Sequence, residues 1–234
     1  MHSIPGIQDN RRTIVHTISD SIFGIYQLLD LLDLKTTSGS IEASVSPQAA
    51  GKDGPAQAAV FKAYTVSGNI RVGLDRMSPV PVREYITQVS SLSGTISGTY
   101  LMGSRASFGT ISGSMNLVLS PAAYGRDPPS VFSKTVSGSQ EIVVLASEDK
   151  TALQTLTLGS DSKSGSVIVR CSGDFEGTIR AGTLTGNIFV MGPGVEIVKT
   201  IPHSGGKYVE ATKGNGAGMI RVNTVSGDVR IFIG

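Results

Sequence analysis

The chain has 234 residues and a net charge of +2; glycine (29), serine (30) and threonine (19) make up a third of it, there is no tryptophan, and charged residues are only 16%. This excludes a coiled coil or long helical bundle, which draws on Ala, Glu, Lys and Leu, and a 39% hydrophobic content excludes wholesale disorder. Lys and Arg are scattered, with no run of five and no interleaved aromatics, so the clustered phosphate contacts of a nucleic-acid binder are not expected.

One cysteine cannot form an internal disulfide, no Asn begins an N-x-Ser/Thr site, and Arg11 and Arg12 precede a stretch broken by Asp20, Asp30 and Asp33 rather than an apolar signal core. No apolar run reaches about 18 residues, the length that signals a membrane-crossing helix. The expectation is an intracellular chain without a membrane span.

In chain order, residues 1–35 come first. Ile18, Ile22, Ile25, Leu29 and Leu32 fall on one helical face, and Asp20 stands where an N-cap would. The reading for 1–35 is a short helical cap.

From residue 36 to 234 a repeat takes over. Thr-Thr-Ser-Gly at 36–39 is followed by Thr-Val-Ser-Gly at 65–68, 135–138 and 224–227, and by Thr-Ile-Ser-Gly at 110–113. Looser copies stand at 91–94, 162–165 and 183–186. Positions two, four and six after each glycine read Ile41, Ala43, Val45 in the first copy and Val229, Ile231, Ile233 in the last; of all such slots only Gly98, Gln140 and Gly192 are glycine or glutamine. Alternation with period two means strands with one buried face. Ile70, Leu117, Ile142, Val169, Ile188 and Ile231 are therefore expected in one core. The Ser-Gly pair reads as a corner at which glycine supplies a positive φ.

Strands that turn at a recurring corner and cannot bury their apolar face alone predict an all-β chain, a β-solenoid of stacked coils. Variable segments at 46–59, 75–85, 120–130, 146–152 and 192–207 emerge on one side of that stack. The octapeptides Thr-Val-Ser-Gly-Asn-Ile-Arg-Val (65–72) and Thr-Val-Ser-Gly-Asp-Val-Arg-Ile (224–231) resemble the repeat of a large microbial family, found also in fungi, of adhesin-like domains of unknown function. The resemblance spans roughly residues 36–234. It implies a β-solenoid and carries no catalytic residue set.

The search for chemistry is brief. Nucleophilic catalysis needs a Ser or Cys beside a base, and the only histidines are His2, His16 and His203. Cys171 occupies a core slot, which marks a packing thiol. Lys213-Gly-Asn-Gly-Ala-Gly218 leads into a strand-like Met219-Ile-Arg-Val222, whereas a dinucleotide fingerprint must open a helix. Catalytic, metal and cofactor residues are assigned to none.

The preferred function is a non-enzymatic scaffold or interaction protein for a protein or carbohydrate ligand. The alternative is a carbohydrate-active β-helix enzyme acting on a polysaccharide, which needs two carboxylates about 5 to 9.5 Å apart and hence acidic residues at equivalent outward positions of adjacent coils. An ice-binding array of aligned threonines is a third reading. Ile168, Phe189, Met191 and Phe232 form the candidate interaction surface, because the outward positions turn apolar there. Homo-association is expected through the C-terminal strand, Val229–Gly234, if that end of the stack is uncovered.

Overall fold

The computed structural model describes residues 7–9, 11–52, 57–75, 79–122, 127–203 and 205–234. These form an all-β structure with a single helical turn. After the short β1 (Ile7–Asp9), strands alternate between two sheets. The first sheet holds β2 (Arg12–His16), β4 (Leu31–Lys35), β6 (Ala59–Thr65), β8 (Tyr85–Ser91), β10 (Arg105–Ser112), β12 (Ser130–Ser137) and β14 (Thr157–Ser164). The second holds β3 (Ile22–Leu28), β5 (Ile41–Pro47), β7 (Ile70–Leu74), β9 (Ile96–Met102), β11 (Met115–Pro121), β13 (Gln140–Val144) and β15 (Val167–Cys171). Within each sheet these neighbours run parallel from β2 and β3 onward. A unit is thus one strand in the first sheet, a Ser-Gly corner, and one strand in the second. The helical turn α1 (Thr151–Gln154) lies in the connection from β13 to β14.

The corner explains the repeat. A Cβ on Gly68 would lie 1.9 Å from the carbonyl oxygen of Gly39, one on Gly94 1.8 Å from that of Gly68, and one on Gly138 2.1 Å from that of Gly113. Each glycine is therefore pressed against the glycine of the unit before it, closer than any side chain allows. In the first half this contact, not backbone conformation, demands glycine; only the later corners, such as Gly138 and Gly227, have positive φ as well. The motif threonines are buried. Thr36, Thr65, Ser91, Thr110 and Thr135 each donate a hydroxyl hydrogen bond to the carbonyl of the preceding corner, at 2.9–3.3 Å. Buried in this way they cannot form an ice-facing array.

The inward residues of both sheets make one cluster. Ile70, Leu117, Ile142, Val169 and Ile231 are buried in it as expected, whereas Ile188 is only half-buried because its strand is the last of the second sheet. Tyr100 and Phe108 meet across the sheets edge to face at 5.0 Å. Gln140, the polar residue in a core slot, is satisfied there: its amide donates to the Asp161 carbonyl at 2.8 Å and accepts from Ser160 at 3.0 Å.

Residues 11–35 are not a helical cap; they are strands. Thr17-Ile-Ser-Asp20 is itself a copy of the corner, with Asp20 where glycine stands elsewhere. The corner of the next unit packs on this one: a Cβ on Gly39 would meet the Asp20 carbonyl at 2.2 Å, and Thr36 donates to that carbonyl. Among the described residues no earlier corner carbonyl packs against Asp20, so a side chain is tolerated there. The alternation Leu32, Leu34 inward with Ile25 83% exposed is strand periodicity, not a helical face.

The C-terminal end also differs from expectation. β16 (Gly177–Thr185) and β17 (Ile188–Met191) follow β15 in the chain but do not sit beside β14 and β15. The antiparallel pair β18 (Val195–His203) and β19 (Gly206–Lys213) comes next and extends the first sheet beyond β16. The 192–207 segment, expected as a loop, thus contributes to a hairpin. Then β20 (Gly218–Ser226) inserts between β14 and β16, and β21 (Val229–Ile233) between β15 and β17. The expected open edge at Val229–Gly234 is therefore absent: both edges of β21 are paired within the chain.

On the loop side, Arg83 is buried. It donates to Asp30 at 3.0 Å and to the carbonyls of Leu29, Gln48 and Gln57, while Arg11 grips the other Asp30 oxygen at 2.8 Å. The Arg11 hydrogen bond, helped by Arg83, holds the Asp30 carboxyl below its ordinary pKa. This knot ties the loops of the first units together. Among the described residues no helix is long and apolar enough to cross a membrane.

Candidate functional site

The outer face of the second sheet is built by register. Ile168, Arg230 and Phe189 lie side by side on β15, β21 and β17, and the next row is Arg170, Phe232, Met191. Because β21 stands between β15 and β17, Arg230 falls between Ile168 and Phe189 in the first row, while Arg170 stands at the end of the second row beside Phe232. Phe189 is 44% and Met191 50% exposed, while Ile168 and Phe232 are half-buried. The four predicted residues thus all reach the surface of one face.

Two arginines complete the surface. The Arg170 guanidinium sits 4.9 Å from the Phe232 ring centre and that of Arg230 5.9 Å from Phe189. Each is also held by one carboxylate, Arg170 by Glu141 at 3.3 Å and Arg230 by Asp228 at 3.0 Å. Half-exposed pairs of this kind contribute little to stability; they hold the guanidinium groups beside the aromatic rings. Asp228 is held below its ordinary pKa, first by the Asn187 backbone amide and then by Arg230.

The sequence reading named the apolar members and missed Arg230 between two of them and Arg170 beside Phe232. The missing information was the neighbour relation: chain order places β17 after β15, whereas the sheet places β21 between them. A second omission was legible. The residue after each corner glycine is Ser40, Asn69, Thr95, Ser114, Ser139, Ser166, Asn187 or Asp228. At several corners that side chain accepts the backbone amide of the next unit, as Asn69 does from Thr95 at 2.9 Å and Asp228 from Asn187 at 2.9 Å.

The remaining candidates have structural surroundings. Cys171 is buried, and burial pushes its thiol up to about 12. His16 lies 3.4 Å from Asp33 on the first sheet; His2 and the side chain of His203 lie outside the described residues. Residues 214–217 connect β19 to β20 and lead into a strand. At the outward positions after the corners, Glu42 is flanked by Phe23 and Arg71, and Glu141 by Asn116 and Ile168. A shallow cleft of about 560 Å³ opens beside Leu184, Tyr208 and Val225, where Lys207 is bonded to Asn187 at 2.8 Å. Among the described residues no group of three or more His, Cys, Asp or Glu is placed to hold a metal.

Set against known proteins, the chain matches no family model, no curated protein and no solved structure.

Proposed function

We propose that the chain is a β-solenoid scaffold, adhesin-like and non-enzymatic, which presents the outer face of its second sheet to a protein partner. Support for the solenoid comes from the alternation of parallel strands between two sheets and from the column of stacked corners. The observation that carries the binding role is the double row Ile168–Arg230–Phe189 and Arg170–Phe232–Met191. Aromatic residues, Met and Arg are the residue types enriched where proteins meet. Here they lie on rigid strands, so little conformational entropy is lost on binding.

The test compares the wild type with Phe189→Ser/Met191→Ser on a peptide and glycan array. Both side chains are exposed, so the melting temperature should hold while peptide binding falls at least tenfold. Equal binding by the two proteins contradicts this role for the face. Preferential glycan binding, or release of reducing sugar from a polysaccharide, moves the assignment to the carbohydrate-active alternative.

A further inference from the structure

We propose that two copies of the chain exchange their C-terminal units, each inserting β20–β21 between β14–β15 and β16–β17 of the other. This goes beyond the scaffold reading and stands on different residues. The unit in question is out of order: it is the last in the chain yet occupies an interior place in both sheets.

The slot it fills is specific. Ile220, Val222, Val229 and Ile231 are completely buried there. Thr224 donates to the Gly165 carbonyl at 3.0 Å and Thr183 donates to the Gly227 carbonyl at 3.0 Å, so one wall of the slot accepts and the other donates. The backbone bonds run in the opposite sense, the Gly165 amide donating to the Ser226 carbonyl at 2.8 Å and the Gly227 amide to the Thr185 carbonyl at 2.9 Å, so each wall both donates and accepts. Any segment that fills the slot must carry the corner motif in this register, and a second copy of the chain carries it.

The connection makes exchange feasible. Lys213 and Gly218 pair with Gly177 from opposite sides, so residues 214–217 step over β16 at Glu176–Gly177. That linker reads Gly-Asn-Gly-Ala, and Gly214 has φ +61°. A left-handed glycine, with a second glycine two residues on, can straighten at low cost, and a straightened linker delivers β20–β21 to a neighbour. Contacts in the exchanged pair equal those in the single chain except at the hinge, so concentration sets the balance.

The natural Cys171 provides the readout. It is the one cysteine of the chain and lies in register with Ile233 on β21. Adjacent strands lie about 4.8 Å apart, within the roughly 4.4–6.8 Å Cα separation that a disulfide spans. Full-length Ile233→Cys is concentrated, oxidised and run without reductant beside light scattering of the wild type. The expected result is a wild-type dimer fraction that grows with concentration and, in the variant's dimer, a disulfide joining two chains at twice 24.3 kDa.

A disulfide confined to one chain in the dimer fraction, or a wild type that stays at 24.3 kDa at every concentration, overturns the proposal. A second variant shortens the hinge by deleting Asn215, Gly216 and Ala217. The two Cα–Cα steps left reach at most about 7.6 Å, short of the roughly 9.6 Å of two strand spacings. This variant should be dimeric throughout; a folded monomer overturns the proposal.

Discussion

Thr65 donates its hydroxyl to the carbonyl oxygen of Gly39, 26 residues earlier, at 2.9 Å, and the Thr65 hydroxyl oxygen in turn accepts the amide of Gly68 at 3.2 Å. One buried side chain thus joins two units and closes its own corner. Thr65→Val keeps the shape and removes both bonds, leaving buried backbone groups unpaired, at an expected cost of about 1–3 kcal/mol. Ser162 stands at the equivalent position, but its buried hydroxyl has no partner. Ser162→Ala should be neutral or slightly stabilising. Urea unfolding of the two variants against the wild type checks the contrast, and equal losses would show that the corner hydroxyls contribute no specific bond.

Glycine substitutions separate close approach from conformational freedom. A Cβ at Gly68 would lie 1.9 Å from the Gly39 carbonyl oxygen, whereas one at Gly109, on the open face of β10, meets nothing within 4 Å. Gly68→Ala must push two units apart and should cost more than about 3 kcal/mol, in the range of severe core overpacking. Gly109→Ala should stabilise by about 0.4–1 kcal/mol by restricting the unfolded chain. Thermal melts of the two single variants provide the check.

Burial raises the Cys171 thiol from 9.0 to about 12. The folded state therefore keeps its proton where the unfolded chain loses it. That contribution to stability is fully present below pH 9 and declines as pH rises from 9 towards 12. At pH 8 a thiol reagent should label the native protein far more slowly than the protein in denaturant. Rapid native labelling would show that the slot is open to solvent.

The strands and their inward faces were legible because period-two alternation is local: Ile70, Val72 and Ile142 announce their burial within a few residues. The first unit was misread because Asp20 replaces the corner glycine and Ile18, Ile22, Ile25 and Leu29 also match a helical spacing. The copy Thr17-Ile-Ser-Asp20 held the correct signal. Strand order at the C-terminus was not legible, since one corner glycine can stack on any other: Gly227 fits between Gly165 and Gly186 although the chain reaches it last. The four apolar members of the candidate face could be named from alternation, but Arg230 between Ile168 and Phe189 depends on that non-sequential order.

Two exposed phenylalanines on opposite sheets allow the proposed binding face to be tested directly. Phe189 borders the arginine rows of the second sheet, whereas Phe132 lies on the first sheet with its ring beside Gly159. The decisive measurement is photo-crosslinking in extracts of the source cells, with a photoreactive phenylalanine analogue at position 189 in one protein and at position 132 in another. A discrete protein adduct at position 189, absent at 132 and lost when Phe232→Ser is added, is the predicted result. Equal labelling at both positions, or an adduct at 132 alone, would contradict the assignment of the second sheet as the binding face.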